Sequence, residues 1–217
     1  RDIAGMTAME QLAAIGEKTH ELVSDQYKTY NRMLLPLLSQ NGLRVVTCHE
    51  ELTPEEAAWA DHYFVESVYP VLTPMAVDSS RPFPLIRNKS LNIAALVKKK
   101  KGDSELDFAM VRVPSGLPRV VVIPPEEGKE KAGTSVIFLE EIIERNIEKL
   151  FLNYDIICSH PFRVMRNADL SIDEDEAEDL LKEIERQLKK RQWGEAIRLD
   201  IEEKADKRLL KILKKEL

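Results

Sequence analysis

The chain has 217 residues, 43% of them hydrophobic and 32% charged, a composition typical of a globular protein with a substantial core. Its net charge of −6 and pI near 5.4 argue against a module devoted to nucleic acid or another long polyanion, whose binding face is normally basic. No apolar run approaches the ~18 residues of a membrane-spanning helix, and Arg1-Asp2-Ile3-Ala4-Gly5 lacks the layout of a signal peptide, so a cytoplasmic location is the simplest reading.

Thr7-Ala8-Met9-Glu10 has the form of a capping box, in which the Thr hydroxyl caps the Glu amide and the carboxylate reaches back. Leu12, Ile15, Leu22, Val23, Tyr30, Leu34, Leu37 and Leu38 then recur with helical spacing, predicting a helix over about 7–40. Pro36 should kink it or mark its last turns, and Asn41-Gly42 supplies a left-handed stop. A helix this long needs a partner surface. A short β-type run, Leu43-Arg44-Val45-Val46-Thr47, follows. Thr53-Pro54-Glu55-Glu56 gives a second helix start, carried by Trp59, Ala60, Tyr63, Phe64 and Val68 to about Tyr69. Pro70, Pro74, Pro82 and Pro84 make the next stretch an irregular connection.

Strands are predicted at Leu91–Val97, Leu106–Val113 and Arg119–Ile123, the first two joined by a hairpin with a basic tip, Lys98 to Lys101. Val136–Leu139 reads as a short strand leading into a helix with Ile142, Ile143, Ile147 and Leu150 on one side. Asp155–Val164 is another strand. Asp173-Glu174-Asp175-Glu176 opens an acidic helix with Ala177, Leu180, Leu181, Ile184 and Leu188 inward. Ala196–Ile201 is a strand, and Leu209–Leu217 has helical spacing without reaching a Gly or Pro stop. With Arg in place of Met at the start, both ends read as cuts from a larger protein. The fold class is α+β: a long N-terminal helix, then a mixed or antiparallel sheet with several packed helices.

No glycine-rich phosphate loop or dinucleotide fingerprint is present, and Gly occurs only eight times. Cys48 and Cys158 stand far apart, which argues against a disulfide framework and a structural zinc site. His20, His49, His62 and His160 lack a second ligand at metal spacing and read as ordinary surface or half-buried histidines; His49 adjoins Cys48, but a reactive Cys/His pair depends on spatial geometry. No catalytic residue and no metal ligand is assigned. The lysine tip could attract phosphate or simply keep a sheet soluble, and the acids from Asp173 suit a helix N-terminus. Arg163 and Arg166, three apart at a strand end, offer planar forks for phosphate, or form an internal lock onto carboxylates of the following acidic helix.

Several segments carry a resemblance. The stretch from Tyr63 through Val68-Tyr69-Pro70-Val71-Leu72-Thr73-Pro74 to Asp78 resembles the bacterial polyphosphate kinase family. So do Arg81-Pro82-Phe83-Pro84-Leu85-Ile86, Ser90-Leu91-Asn92-Ile93-Ala94, Leu117-Pro118-Arg119, His160-Pro161-Phe162-Arg163 and Arg166-Asn167-Ala168-Asp169-Leu170, in the same order, and the acidic run from Asp173 to Leu181 matches in style and place. The resemblance implies a multi-domain, oligomeric transferase that moves the terminal phosphate of ATP reversibly onto polyphosphate, with magnesium, through a phosphohistidine. It places residues 1–41 as the last helix of a helical N domain and 42–217 in a C-terminally truncated head domain. The phosphohistidine belongs to further C-terminal domains, so His160 is not that residue and no family catalytic residue maps here. The segment is then an architectural and oligomerisation part, with ATP and magnesium serving the parent. Its partners are the remaining parent domains, a second subunit and polyphosphate; nucleic acid is not among them. As part of the parent it is cytoplasmic or membrane-associated. Arg81, Arg87, Arg163 and Arg166 are the candidates for touching polyphosphate. The alternative is a stand-alone protein-interaction or polyanion-binding module.

Overall fold

A computed structural model describes residues 5–77, 83–100, 106–125, 133–167 and 194–217. Arg81, the Lys101 end of the hairpin tip and the acidic helix from Asp173 lie outside the described residues. The helices are α1 (Ala8–Thr29), α2 (Leu35–Gln40), α3 (Pro54–Tyr63), α4 (Leu139–Arg145) and α5 (Lys207–Glu216). The strands are β1 (Leu43–Val46), β2 (Pro74–Val77), β3 (Leu91–Lys99), β4 (Leu106–Arg112), β5 (Val120–Ile123), β6 (Thr134–Phe138), β7 (Tyr154–Arg166) and β8 (Ala196–Ile201). They form two compact units, one of residues 1–47 and 122–137, the other of 48–121 and 138–217. The protein is α+β, as the sequence predicts.

In the first unit, Thr7 caps α1 as expected: its backbone N–H donates to Glu10 Oε2 at 2.6 Å and its hydroxyl accepts the Glu10 N–H at 3.3 Å. The Thr7 N–H and hydroxyl, which both donate to the Glu10 carboxylate, hold that carboxyl below its usual range. The helix does not simply kink at Pro36. A π-helical turn over Tyr30–Leu34 separates α1 from α2, with the Leu35 N–H bonded to the Tyr30 carbonyl. Proline lacks an N–H and its ring crowds the carbonyl four residues back; a wider turn just ahead of it relieves that crowding. The same solution recurs before Pro70, where Phe64–Val68 is π-helical and the Tyr69 N–H reaches the Phe64 carbonyl. Gly42, at φ 82°, ends α2 in the left-handed region. No residue of α1 is buried, and Met9, Leu12, Ile15 and Leu22 keep their apolar side chains exposed. Parallel pairing of β1 with β6, Leu43 opposite Thr134, places these strands in a three-stranded sheet of order β1-β6-β5.

The second unit holds a five-stranded sheet of order β2-β4-β3-β7-β8, antiparallel throughout. Strand β3 is its centre, paired with β4 on one side and β7 on the other. Ala94 and Leu96 face a core of Phe108, Met110, Phe162, Val164 and Ile86, closed by Leu209 and Leu213 of α5. By alternation Ile93, Ala95 and Val97 face the opposite way, and they too are fully buried. Ser159 stands opposite Ala95 and hydrogen-bonds Glu144 of α4, so α4 lies over that second face. Burial on both faces explains why β3 reads as a nearly unbroken apolar run.

The sequence reading misses β2. The proline-rich connection contains an edge strand, with Pro74 at its first position, where a missing N–H removes no ladder bond. The predicted helix beyond Leu139 is also shorter than its apolar spacing suggests. It ends at Arg145, and Ile147–Lys149 forms a separate 3₁₀ turn around the buried Asn146, whose side-chain amide bonds the Ile142 carbonyl at 3.0 Å.

Gly133 stands at φ 100°, and a Cβ there would lie 2.5 Å from the Gly42 carbonyl oxygen. Gly133→Ala is therefore expected to destabilise by about 2 kcal/mol or more. Gly16→Ala, in an exposed helix with open space around it, is expected to stabilise by about 0.5–1 kcal/mol. Urea unfolding of both variants checks the pair, and equal midpoints would contradict the close approach of the two backbones.

Candidate anion-binding cleft

Because β3 and β4 are antiparallel, the start of one and the end of the other share an edge of the sheet. The turn before β3 and the loop after β4 meet there, joined by the Val113 N–H to the Leu91 carbonyl at 3.0 Å. Between them opens a cavity of about 460 Å³ whose lining includes Arg87, Lys89, Arg112 and Arg119. The turn is firmly held. The Ser90 hydroxyl and N–H both donate to the Arg87 carbonyl, at 2.8 and 3.2 Å, and the Lys89 N–H donates to Val164 on β7 at 2.8 Å. Buried Asn92 donates to both the carbonyl and the hydroxyl oxygen of Ser90. Lys89 is the one non-glycine among the described residues with positive φ, 59°, a conformation that these bonds over-determine.

The cations of the cleft differ in their surroundings. Arg119 donates to both oxygens of Glu140, with its closest contact at 2.6 Å, and its guanidinium lies 5.4 Å from the centre of the Phe138 ring. It forms a wall whose charge is already matched. Arg87, Lys89 and Arg112 form no ion pair among the described residues. The cleft thus concentrates positive charge in a protein that is acidic overall.

The other sequence candidates have different partners. Arg163 donates to Asp200 Oδ2 at 3.2 and 3.0 Å, and Arg198 donates to Asp200 Oδ1 at 2.6 Å. Partial burial alone would raise the Asp200 pKa, but these two guanidinium groups outweigh it and hold the carboxyl below its usual range. Arg166 donates to the carbonyls of Ile86 and Gly194, and its backbone N–H donates to Asn88 Oδ1 at 3.0 Å. It thereby fastens the segment that carries Arg87. Arg163 is therefore paired with a carboxylate of β8 and Arg166 with backbone carbonyls, while the acidic helix considered as their partner lies outside the described residues. Arg112 and Lys89 were not singled out in the sequence. Their only signal there is the hairpin itself, which places residues after one strand beside residues before its partner.

Cys48 and His49 both contact Glu50, whose carboxylate lies 3.5 Å from the His49 Nε2. The Cys48 thiol donates to the Glu50 carboxylate, which pushes the thiol pKa up to about 11 and disfavours the thiolate. His49 contacts Glu141, its backbone N–H at 3.0 Å and its Nδ1 at 3.1 Å, and that bond raises its pKa. His160 is used structurally: Nδ1 lies 3.1 Å from Glu202, and Nε2 accepts the Asp206 N–H at 3.2 Å. Among the described residues no group of three or more His, Cys, Asp and Glu is placed to hold a metal. No helix of the described residues is long and apolar enough to cross a membrane.

The family model described as "Polyphosphate kinase middle domain" matches residues 55–217. The chain belongs to this family. It is 46% identical over 211 residues to the polyphosphate kinase of Halalkalibacterium halodurans, covering 97% of this chain and 29% of that protein. With the polyphosphate kinase of Lactiplantibacillus plantarum it shares 44% over 206 residues, 95% of this chain and 28% of the relative. The crystal structure of polyphosphate kinase from Porphyromonas gingivalis superposes with a TM-score of 0.66 at 26% identity, over 83% of this chain and 29% of that one. The chain thus spans less than a third of these polyphosphate kinases, and the whole basic cleft falls inside the matched middle domain.

Beside the cleft, α4 carries a carboxyl with an unusual titration. Burial pushes Glu144 up to about 8, against the 4.5 of a free glutamate, and the Ser159 hydroxyl only partly offsets this. Between about pH 4.5 and 8 the unfolded chain ionises this group while the folded protein keeps its proton, so stability falls as pH rises through that window. Glu144→Gln is expected to lessen the loss by on the order of 2 kcal/mol between pH 5 and pH 8. Urea midpoints across that range test it; an unchanged pH slope would contradict the assignment.

Proposed function

We propose that this chain is the middle-domain frame of an ATP:polyphosphate phosphotransferase, positioning the parent's parts rather than making or breaking phosphoanhydride bonds itself. The observation that carries the reading is the family match over 55–217, joined to the chain's small share of its relatives' length. In this reading residues 1–41 are the last helix of a preceding helical domain and 42–217 belong to the head domain. The exposed apolar side chains of α1 fit a helix that is covered elsewhere in the parent. A second subunit and the remaining parent domains are its partners, and the parent works in the cytoplasm.

Phosphoryl transfer depends on positioning and on neutralising charge in the transition state. The proposed transferase uses ATP and magnesium, and a histidine outside this chain carries the phosphoryl group between the two steps. In this reading the chain contributes shape, orientation and cationic surface. Polyphosphate contact by Arg81, Arg87, Arg163 and Arg166 is part of the proposal. Arg87 supports it most directly, since its side chain lines the cleft without an ion-pair partner among the described residues.

The test compares the 217-residue chain with the intact protein that contains it. With magnesium and ATP, the intact protein is expected to make polyphosphate, and the chain by itself none. Synthesis by the purified chain at a rate proportional to its concentration would overturn the division of labour. Inactivity of the intact protein would overturn the assigned activity.

A further inference from the structure

We infer that the cleft between the turn at Arg87–Ser90 and the loop after β4 is a binding site for a short run of condensed phosphoryl groups, gripped by Arg87, Lys89 and Arg112. The site follows from the cleft's own geometry; only the choice of an inorganic chain over a nucleotide's phosphate tail rests on the proposed function.

Three observations point to this chemistry. First, three cations from two chain segments line one cavity and have no ion-pair partner among the described residues, while Arg119, beside them, is already matched by Glu140. Two of the three are arginines, whose planar forks suit phosphate oxygens. Each internal phosphoryl of a condensed chain carries a single negative charge, so a short run balances the three cations. Second, the cavity of about 460 Å³ suits a small ligand and excludes a duplex or a folded protein element. Its lining contains no aromatic side chain on which a nucleobase could stack, which disfavours single-stranded nucleic acid. Leu91, Val113 and Leu117 also line it, lowering the local dielectric and strengthening each charge contact. Third, the cleft is built in advance. Lys89 is held in the left-handed region by the Val164 carbonyl, and Arg166 fixes the segment on either side of Arg87 through Ile86 and Asn88. Preorganisation of this kind reduces the entropy lost on binding.

The experiment is side-chain footprinting on the intact protein, read residue by residue by mass spectrometry. Phenylglyoxal labels arginines, and an acetylating reagent labels lysines. Tripolyphosphate is expected to slow labelling of Arg87, Lys89 and Arg112 several-fold while leaving exposed Arg32, in the π-helical turn after α1, unchanged. The protection should fade as salt is raised from about 50 to about 300 mM, as counterion release requires. Lys89→Gln should remove most of the protection at Arg87 and Arg112, and Arg87→Gln most of that at Arg112; both replaced side chains are exposed, so each variant keeps its fold. Unchanged labelling with tripolyphosphate would overturn the site, and so would protection equal at Arg32 or undiminished in both variants. ATP in a parallel arm identifies the source. Weaker protection by ATP supports an inorganic chain, equal protection supports the shared phosphate chemistry with the nucleotide also admitted, and protection by ATP alone overturns the proposal. An intact protein that makes polyphosphate without protecting the cleft refutes this inference only, whereas protection in a protein without transferase activity refutes only the proposed function.

Discussion

Helix α4 has seven residues, and four of its polar side chains tie distant parts of the chain together. Glu140 holds Arg119 in the loop after β4, Glu141 holds His49 in a turn that begins the unit, and Glu144 holds Ser159 on β7. Arg145 completes the set with a two-pronged bond to Asp61 on α3, at 2.9 and 3.0 Å. Leu139, Ile142 and Ile143 are fully buried beneath these contacts. Burying charged groups is costly unless each is paired, and here the pairing is what fixes where the helix can sit. Loss of Arg119 or His49 would leave the Glu140 or Glu141 carboxylate without its partner in a low-dielectric setting. The wall of the cleft formed by Arg119 depends directly on this arrangement.

The second constraint is the central strand. With β4 and β7 satisfying both edges of β3, and with α4 over one face and α5 over the other, β3 has a single register in which its side chains fit. That register sets the opposition of Asn92 and Arg112, and of Leu91 and Arg163. One end of the sheet consequently gathers Arg87, Lys89, Arg112, Arg163 and Arg166. The last two are committed to Asp200 and to backbone carbonyls, and the first three face the cavity. A basic site thus arises in an acidic chain through strand pairing, without any basic run in the sequence that forms it.

Much of this was legible in advance because it is written in short-range chemistry. Thr7-Glu10 and Thr53-Glu56 form their capping boxes, Gly42 ends its helix with positive φ, and the strands at Leu91, Leu106 and Ala196 begin where apolar patterning puts them. What escaped the sequence reading depends on partners far away along the chain. Edge strand β2 exists because β4 offers it a ladder, and its prolines disguise it. The π turns before Pro36 and Pro70 answer a steric conflict that spacing rules do not describe. The bonds of α4 join residues 15 to 92 positions apart, beyond the reach of helical spacing along the chain. Arg163 and Arg166 drew notice because they stand close together in sequence, whereas Arg112 meets Lys89 only across a hairpin.

A paired helix and a fully satisfied central strand give this middle domain its shape and a cationic cleft, and in the proposed function phosphoryl transfer takes place on other residues of the parent. A structure of the intact protein with magnesium and a non-hydrolysable ATP analogue tests this most directly. The account predicts that the metal ion and the transferable phosphoryl group are bound by residues outside this chain. Magnesium and that phosphoryl group held entirely by side chains of these 217 residues would contradict it.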